Sequence, residues 1–134
     1  MLLILSGDIN LNPGPPFANI SSLKFACLNI RSASSITPDL NKPAVLQEFI
    51  TDDPLKPIDI LSLTETWLPC DPLPAVLNSL TPPGYSIINS PRLQGKGGGL
   101  ALIFKSCLKM KTVSIPLFSS FETLCVRLTI ASSS

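Results

Sequence analysis

Histidine is absent from this 134-residue chain. Within these residues that excludes a histidine general base, a histidine-containing triad and any histidine-ligated zinc site. Charge is scarce as well, at 14% of residues against about 25% in an average domain. The net charge is only +1, so no broad basic field advertises nucleic acid, although a local patch would serve. Cysteine pairs at metal-ligand spacing are lacking: Cys27, Cys70, Cys107 and Cys125 form no C-x-x-C. Cys27 and Cys125 lie inside apolar, strand-like runs and read as small buried hydrophobes. The even count permits disulfides, but nothing else suggests secretion, and the thiols are expected to be reduced. The opening Met1-Leu2-Leu3-Ile4-Leu5 has neither the basic flank nor the length of a signal peptide. No run approaches the ~20 apolar residues of a membrane span. The expectation is an intracellular chain, nuclear or cytoplasmic, with no membrane partner.

What is present is a hydrophobic body. Apolar residues make up 45% of the chain, its length suits one domain, and a real core can be buried. Fourteen prolines cluster at 13–16, 54–57, 69–74 and 82–83, where they read as punctuation between elements. Pro57-Ile58-Asp59-Ile60-Leu61-Ser62-Leu63-Thr64-Glu65-Thr66-Trp67-Leu68 organises the rest. A proline that cannot donate in a central ladder suits a strand start. The branched apolar run after it has the composition of a strand buried on both faces. The run ends on one carboxylate, Glu65. Ligands of open α/β sheets sit beyond the carboxyl ends of the strands, so Glu65 is a candidate metal ligand. Capping a helix, or simply meeting solvent, is the plainer alternative.

Leu23–Ile30 alternates as a strand and carries the amide Asn29 near its end, where it must find partners or face a polar site. A polar loop is expected over Ser32–Asn41. Pro43 then suits a first helical turn, with Val45, Leu46, Phe49 and Ile50 on one helical face, and Asp52-Asp53-Pro54 ends the helix. Strand, helix, strand is the order of a βαβ unit. Further along, a short helix or turn is plausible around Ala75–Leu80, and a strand at Tyr85–Asn89. A polar turn follows at Arg92–Lys96, then strands at Leu100–Phe104 and near Lys109–Ile115 and Phe121–Ile130. Leu28, Ile60, Leu61, Leu63, Leu102, Ile103 and Val126 are the expected core of one α/β unit with a mostly antiparallel sheet. Gly97-Gly98-Gly99 invites a phosphate-loop reading, but the spacing is wrong and a strand follows. Close approach of two backbones at a strand start is the better account.

Asp8, Asn12, Pro13, Gly14 and Pro15 resemble the end of a 2A-like ribosome-skipping peptide, with Asn10 in place of that motif's glutamate. An ordinary Pro/Gly linker is the alternative. Residues 1–20 read as a flexible leader, 21–130 as the domain and 131–134 as a tail. Four segments then occur in order: Leu28-Asn29-Ile30-Arg31-Ser32, Asp59 to Leu68, Gly97 to Ile103, and Phe121-Glu122-Thr123-Leu124. Together they resemble the N-terminal half of the endonuclease/exonuclease/phosphatase domain, in the version carried by non-LTR (LINE-type) retrotransposons. Some of those elements place a 2A-like peptide just ahead of it.

The resemblance implies a partial four-layered α/β sandwich with two packed sheets. It implies a phosphodiesterase dependent on Mg²⁺ (or Mn²⁺) that nicks target DNA, with a reverse transcriptase domain downstream. Asn29 and Glu65 match the catalytic, metal-holding positions, Trp67 and Leu68 match packing positions behind them, and Arg31 could reach a phosphate. The water-activating Asp of a later Gly-Asp-Phe-Asn segment, its Asn partner, a later Asp and a terminal Asp-His pair have no counterpart here. The expectation is therefore a truncated copy, inactive by itself; a non-catalytic relic or interaction fragment is the alternative.

Overall fold

The computed structural model describes residues 23–52 and 57–129. The leader with Asp8, Asn12, Pro13, Gly14 and Pro15, the Asp53-Pro54 pair, Ile130 and the serine tail lie outside the described residues.

Four strands form the main sheet: β1 (Phe25–Asn29), β4 (Ile60–Thr64), β5 (Tyr85–Ser90) and β6 (Leu100–Lys105), in the order β1-β4-β6-β5. β1 pairs with β4 in parallel, while β6 pairs antiparallel with both β4 and β5. The molecule is thus mixed α/β with a mostly antiparallel sheet. The helix α1 (Lys42–Thr51) connects the parallel pair, as the strand-helix-strand order demands. Two short strands, β2 (Ile36–Thr37) and β3 (Leu40–Asn41), form a small hairpin inside the expected loop. Pro38 and Asp39 turn it, a pairing favoured in tight turns. A second helix, α2 (Pro74–Leu80), and a two-stranded ribbon of β7 (Lys109–Thr112) and β8 (Val126–Thr129) complete the described elements. The ribbon strands are shorter than the apolar runs that announced them.

α1 starts where the sequence gives it a cap. The Asn41 side chain accepts from the Ala44 amide at 3.2 Å, and Pro43 sits in the first turn, where its missing N–H costs nothing. Lys42 ties this start to the end of β1 by donating to the carbonyls of Ile30, at 2.9 Å, and Arg31. The helix stops at Thr51, with the Asp52 amide on the Glu48 carbonyl.

Alternation along β4 and β6 builds a core on each face of the sheet. Leu61, Leu63, Ala101 and Ile103 point to one side, where Leu46 and Ile50 of α1 and Leu80 of α2 cover them. Ile60, Leu100, Leu102 and Phe104 point to the other and meet Leu108, Leu124 and Val126. Six of the seven expected core residues are buried. Leu28 is only half-buried, because β1 is an edge strand.

Two expectations need correcting. Val45 and Phe49 are each half exposed, and only Leu46 and Ile50 of that helical face are buried. Val45 and Phe49 line a groove with Lys24 and Ile58, beside the amino ends of β1 and β4. Cys27 is exposed and Cys125 partly so, and all four thiols are free. Cys27 shares the ribbon-side face of β1 with Phe25, and the ribbon covers β4 and β6 without reaching it. Phe25 is 43% exposed for the same reason.

The amino end of β4 is locked by Asp59, which is 5% exposed. Its carboxylate accepts from the Lys24 amide at 2.6 Å and from Lys105 Nζ at 2.8 Å. One side chain therefore ties β4 to the lead-in of β1 and to the end of β6. The Tyr85 hydroxyl adds a bond to the Ile58 carbonyl at 2.8 Å. The Asp59 carboxylate holds the Lys105 ammonium above its ordinary pKa, and burial raises Tyr85.

Asp59→Ala should lower stability by about 2–3 kcal/mol in urea unfolding. That is less than the ~3–5 kcal/mol of a fully buried pair, because Lys105 keeps some solvent. Both raised groups favour their protonated forms in the folded state. Their contribution is complete below the unfolded values near 10 and is lost as pH rises through the higher folded values. Unfolding midpoints should therefore hold steady to about pH 10 and fall above it, less steeply in Lys105→Met. The exposure of Phe25 and Cys27 on the ribbon-side face of β1, which no other described element covers, makes a second prediction: the native chain should bind a hydrophobic dye and self-associate as concentration rises. A sharp, reversible melt of a dye-silent monomer would contradict it.

Candidate functional site

The other end of β4 has the opposite character. Asn29 pairs with Thr64 at the carboxyl ends of the parallel strands. The two chains stay together beyond them, with the Ile30 amide on Thr64 O at 3.0 Å, Ser32 on Glu65 O at 2.9 Å and Ala33 on Thr66 O at 2.8 Å. Asn29 and Glu65 therefore lie at the same end of the sheet on neighbouring segments. The start of β6 arrives there too, with the Thr66 and Trp67 amides donating to Gly99 O and Gly98 O at 3.3 and 2.9 Å.

This end carries the backbone strain. Arg31, Ser32, Glu65 and Trp67 are the four non-glycine residues with positive φ among the described residues, at 43°, 72°, 57° and 55°. Left-handed backbone costs an L-residue about 1–2 kcal/mol. Such strain persists only where surrounding contacts hold it, and it clusters at functional sites. Here the contacts are the hydrogen bonds between the two segments just described, and all four residues sit in the two loops that follow β1 and β4.

Glycine is required opposite them. Gly97, Gly98 and Gly99 all have positive φ. A Cβ on Gly99 would stand 2.6 Å from Thr66 Oγ1, and one on Gly98 would overlap the Arg92 guanidinium. The two backbones do meet here, through the Gly98 and Gly99 carbonyls, but what a Cβ at these glycines would first meet is side chain rather than backbone, and their amides have a further use. Gly98 N donates to Glu65 Oε2 at 3.0 Å, and Gly99 N donates to both oxygens of Glu122 at 3.0 and 3.1 Å. Arg92 Nε pairs with Glu122 at 2.9 Å, and its guanidinium also donates to Lys96 O at 3.1 Å. The glycine run thus holds two of the chain's own carboxylates, where a phosphate loop would hold a ligand.

Glu65 is the carboxylate at the centre. Its Oε2 accepts from the Trp67 indole at 2.9 Å as well as from Gly98, while Oε1 accepts nothing from the described residues. These two hydrogen bonds, the indole's first, hold the Glu65 pKa below the usual carboxylate range, and the charges of Arg92 and Arg31 add to the effect. Trp67 is 47% exposed while Leu68 is 5% exposed. Leu68 packs as expected, but Trp67 does not: its ring stands at the surface and its N–H serves Glu65. Arg31 is exposed beside the site. Thr66, between Glu65 and Trp67, is fully buried, and its hydroxyl lacks a hydrogen-bond partner among the described residues.

Sequence reading singled out Asn29 and Glu65 but gave no role to Arg92, Glu122 or the glycine amides. The Phe121-Glu122-Thr123-Leu124 segment and the glycine triplet were the available signals. No group of three or more Cys, Asp or Glu side chains that could hold a metal occurs among the described residues. Nor is any described helix long and apolar enough to cross a membrane. Comparison with family models, with curated proteins and with solved structures finds no match to the chain.

Gly99→Ala should destabilise by about 2–4 kcal/mol, combining left-handed strain with the Thr66 clash. Adding Thr66→Ala should relieve the clash and leave the strain. Thr66→Val alone should be near neutral, since it removes a buried hydroxyl that has no partner among the described residues and keeps the shape. Chemical denaturation of the four chains checks the set.

Proposed function

We propose that this chain is the metal-holding half of a DNA-nicking phosphodiesterase site of the endonuclease/exonuclease/phosphatase type, as carried by non-LTR retrotransposons. The observation that carries the reading is the convergence of strained backbone at the adjacent carboxyl ends of β1 and β4 on one oriented carboxylate, Glu65, with Asn29 on the neighbouring strand. The four-layered sandwich is part of the proposal. The helix layer, the main sheet and the β7–β8 ribbon would be its first three components, and the partly bare ribbon-side face would take the rest of a second sheet.

The donor set fits Mg²⁺ or Mn²⁺ in a limited way. Mg²⁺ keeps several waters and is usually held by one or two carboxylates together with substrate phosphate. Glu65 offers one carboxylate oxygen that accepts nothing from the described residues, and Asn29 offers an amide. A bound cation would supply charge stabilisation to the transferring phosphate. The chain's own residues do the holding: Gly98 and Trp67 fix the carboxylate, and Arg31 gives positive charge at the rim for a phosphate. Hydrolysis also needs a positioned base for the attacking water. Histidine is absent, and the Asp and Asn of the family's later segments have no counterpart in these residues. The base would have to come from another segment, such as the one leading to the reverse transcriptase. The second reading, a non-catalytic relic or interaction fragment, is favoured by the exposed Phe25 and Cys27 on the ribbon-side face of β1.

The purified 134-residue chain should bind Mn²⁺ weakly, lose that binding in Glu65→Ala, and fail to nick supercoiled plasmid in Mg²⁺. Plasmid nicking that Glu65→Ala abolishes would overturn the half-site reading in favour of a complete enzyme. Absence of Mn²⁺ binding would overturn the metal-holding reading and leave the relic.

A further inference from the structure

We infer that Trp67 is the positioning residue of Glu65: its indole N–H and the Gly98 amide together pin Oε2 and leave Oε1 as the oxygen presented to a cation. The cation half of this statement rests on the metal-holding reading; the pinning does not.

Burial does not explain where Trp67 sits. A tryptophan gains most when its ring is covered, yet this one is 47% exposed while its neighbour Thr66 is fully buried. Backbone preference does not explain it either, because Glu65 and Trp67 both stand in the left-handed region, at φ 57° and 55°. What that conformation achieves is the contact: two residues flanking an inward threonine bring a carboxylate and an N–H donor to 2.9 Å. The opposing chain makes room for the same pair. A Cβ on Gly97 would lie 3.1 Å from Trp67 Nε1 and 3.4 Å from Glu65 Oε2. Three features that need no common cause therefore converge on one hydrogen bond.

The identity of the donor matters chemically. Indole N–H donates and cannot accept, so the contact favours the ionised carboxylate, and the placement of the indole and the Gly98 amide puts both donors on Oε2. It is also neutral. A lysine or arginine in its place would orient Glu65 equally well but would cancel the charge that a divalent ion needs. One of the two guanidinium groups whose charge reaches Glu65 is held elsewhere, Arg92 being paired with Glu122 and Lys96 O. Partners that orient a ligating carboxylate typically contribute 10–100-fold to metal affinity.

Trp67 is the sole tryptophan, so the indole proton gives a single resonance in a ¹⁵N-labelled sample of the full chain. That resonance should lie downfield and exchange slowly in the wild type, and should move upfield and exchange faster in Glu65→Gln. Free Mn²⁺ measured by electron paramagnetic resonance should show binding weakened about tenfold in Trp67→Phe, with an unchanged melting temperature. An indole resonance that ignores Glu65→Gln would overturn the pinning, as would a Trp67→Phe chain that binds Mn²⁺ like the wild type. If the wild type binds no Mn²⁺ but the indole resonance responds, the pinning stands and the metal reading falls. If Trp67→Phe fails to fold, the indole comparison between wild type and Glu65→Gln decides.

Discussion

The rest of the structure depends on how β4 is held at its two ends. It is the strand that pairs in parallel on one side and antiparallel on the other, and its residues Ile60 to Leu63 are all buried. A strand buried on both faces has no freedom to shift register, because a slip of one residue exchanges its faces. Each end carries a carboxylate. Asp59 is buried and meets an ammonium, Lys105, together with a backbone amide. Glu65 is more open and meets two neutral donors. The first arrangement neutralises its charge and closes the sheet. The second orients its charge without neutralising it. The partner, more than the residue type, separates a structural carboxylate from one available to a ligand.

Strain follows the same polarity. Asp59 stands in ordinary backbone, whereas Glu65 and Trp67, and across from them Arg31 and Ser32, adopt left-handed conformations. Four such residues cost several kcal/mol together, at about 1–2 kcal/mol each, which is a large fraction of a typical domain's net stability. The offset comes from the well-packed parts of the sheet, where Leu61, Leu63 and Ile103 are fully covered. The rigid core of β4 and β6 permits an unfavourable loop geometry at one end because the other end is fixed by the Asp59 bonds.

Much of the scaffold was legible in the sequence, for reasons that can be named. Ile60-Leu61-Ser62-Leu63 announced a strand buried on both faces because apolar residues ran on without alternation. Pro43 and the Pro/Gly breaks marked where elements begin and end. Errors fell where tertiary position overrides local pattern. Cys27 alternates correctly, but β1 is an edge strand whose ribbon-side face the ribbon does not reach. Val45 and Phe49 share a helical stripe with Leu46 and Ile50, but a stripe that wide runs past the edge of the sheet. The β2–β3 hairpin has two residues per strand, too few to show a period. At the candidate site, Asn29 and Glu65 were visible as polar residues closing apolar strands. The roles of Trp67, Arg92 and Glu122 were not, because they follow from φ angles and from which amides the glycine run leaves free.

The uneven cover on the two faces bears on function as much as on stability. On the helix side, α1 and α2 close the core, with the Gln47 side chain donating to Ser79 O at 2.6 Å between them. On the ribbon side, β7 and β8 cover the centre of the sheet and leave Phe25 exposed at its edge. By the alternation of β1, Asn29 lies on that same side as Phe25 and Cys27. On the proposed reading, whatever completes the ribbon-side cover would also build up around Asn29, because both needs fall on one face of one strand. Completion of the core and completion of the site would then be a single event. The same geometry ties the two ends of β1 together: Phe25 and Cys27 are exposed along the strand that ends at Asn29, so any segment packing on that face would pass beside the amide.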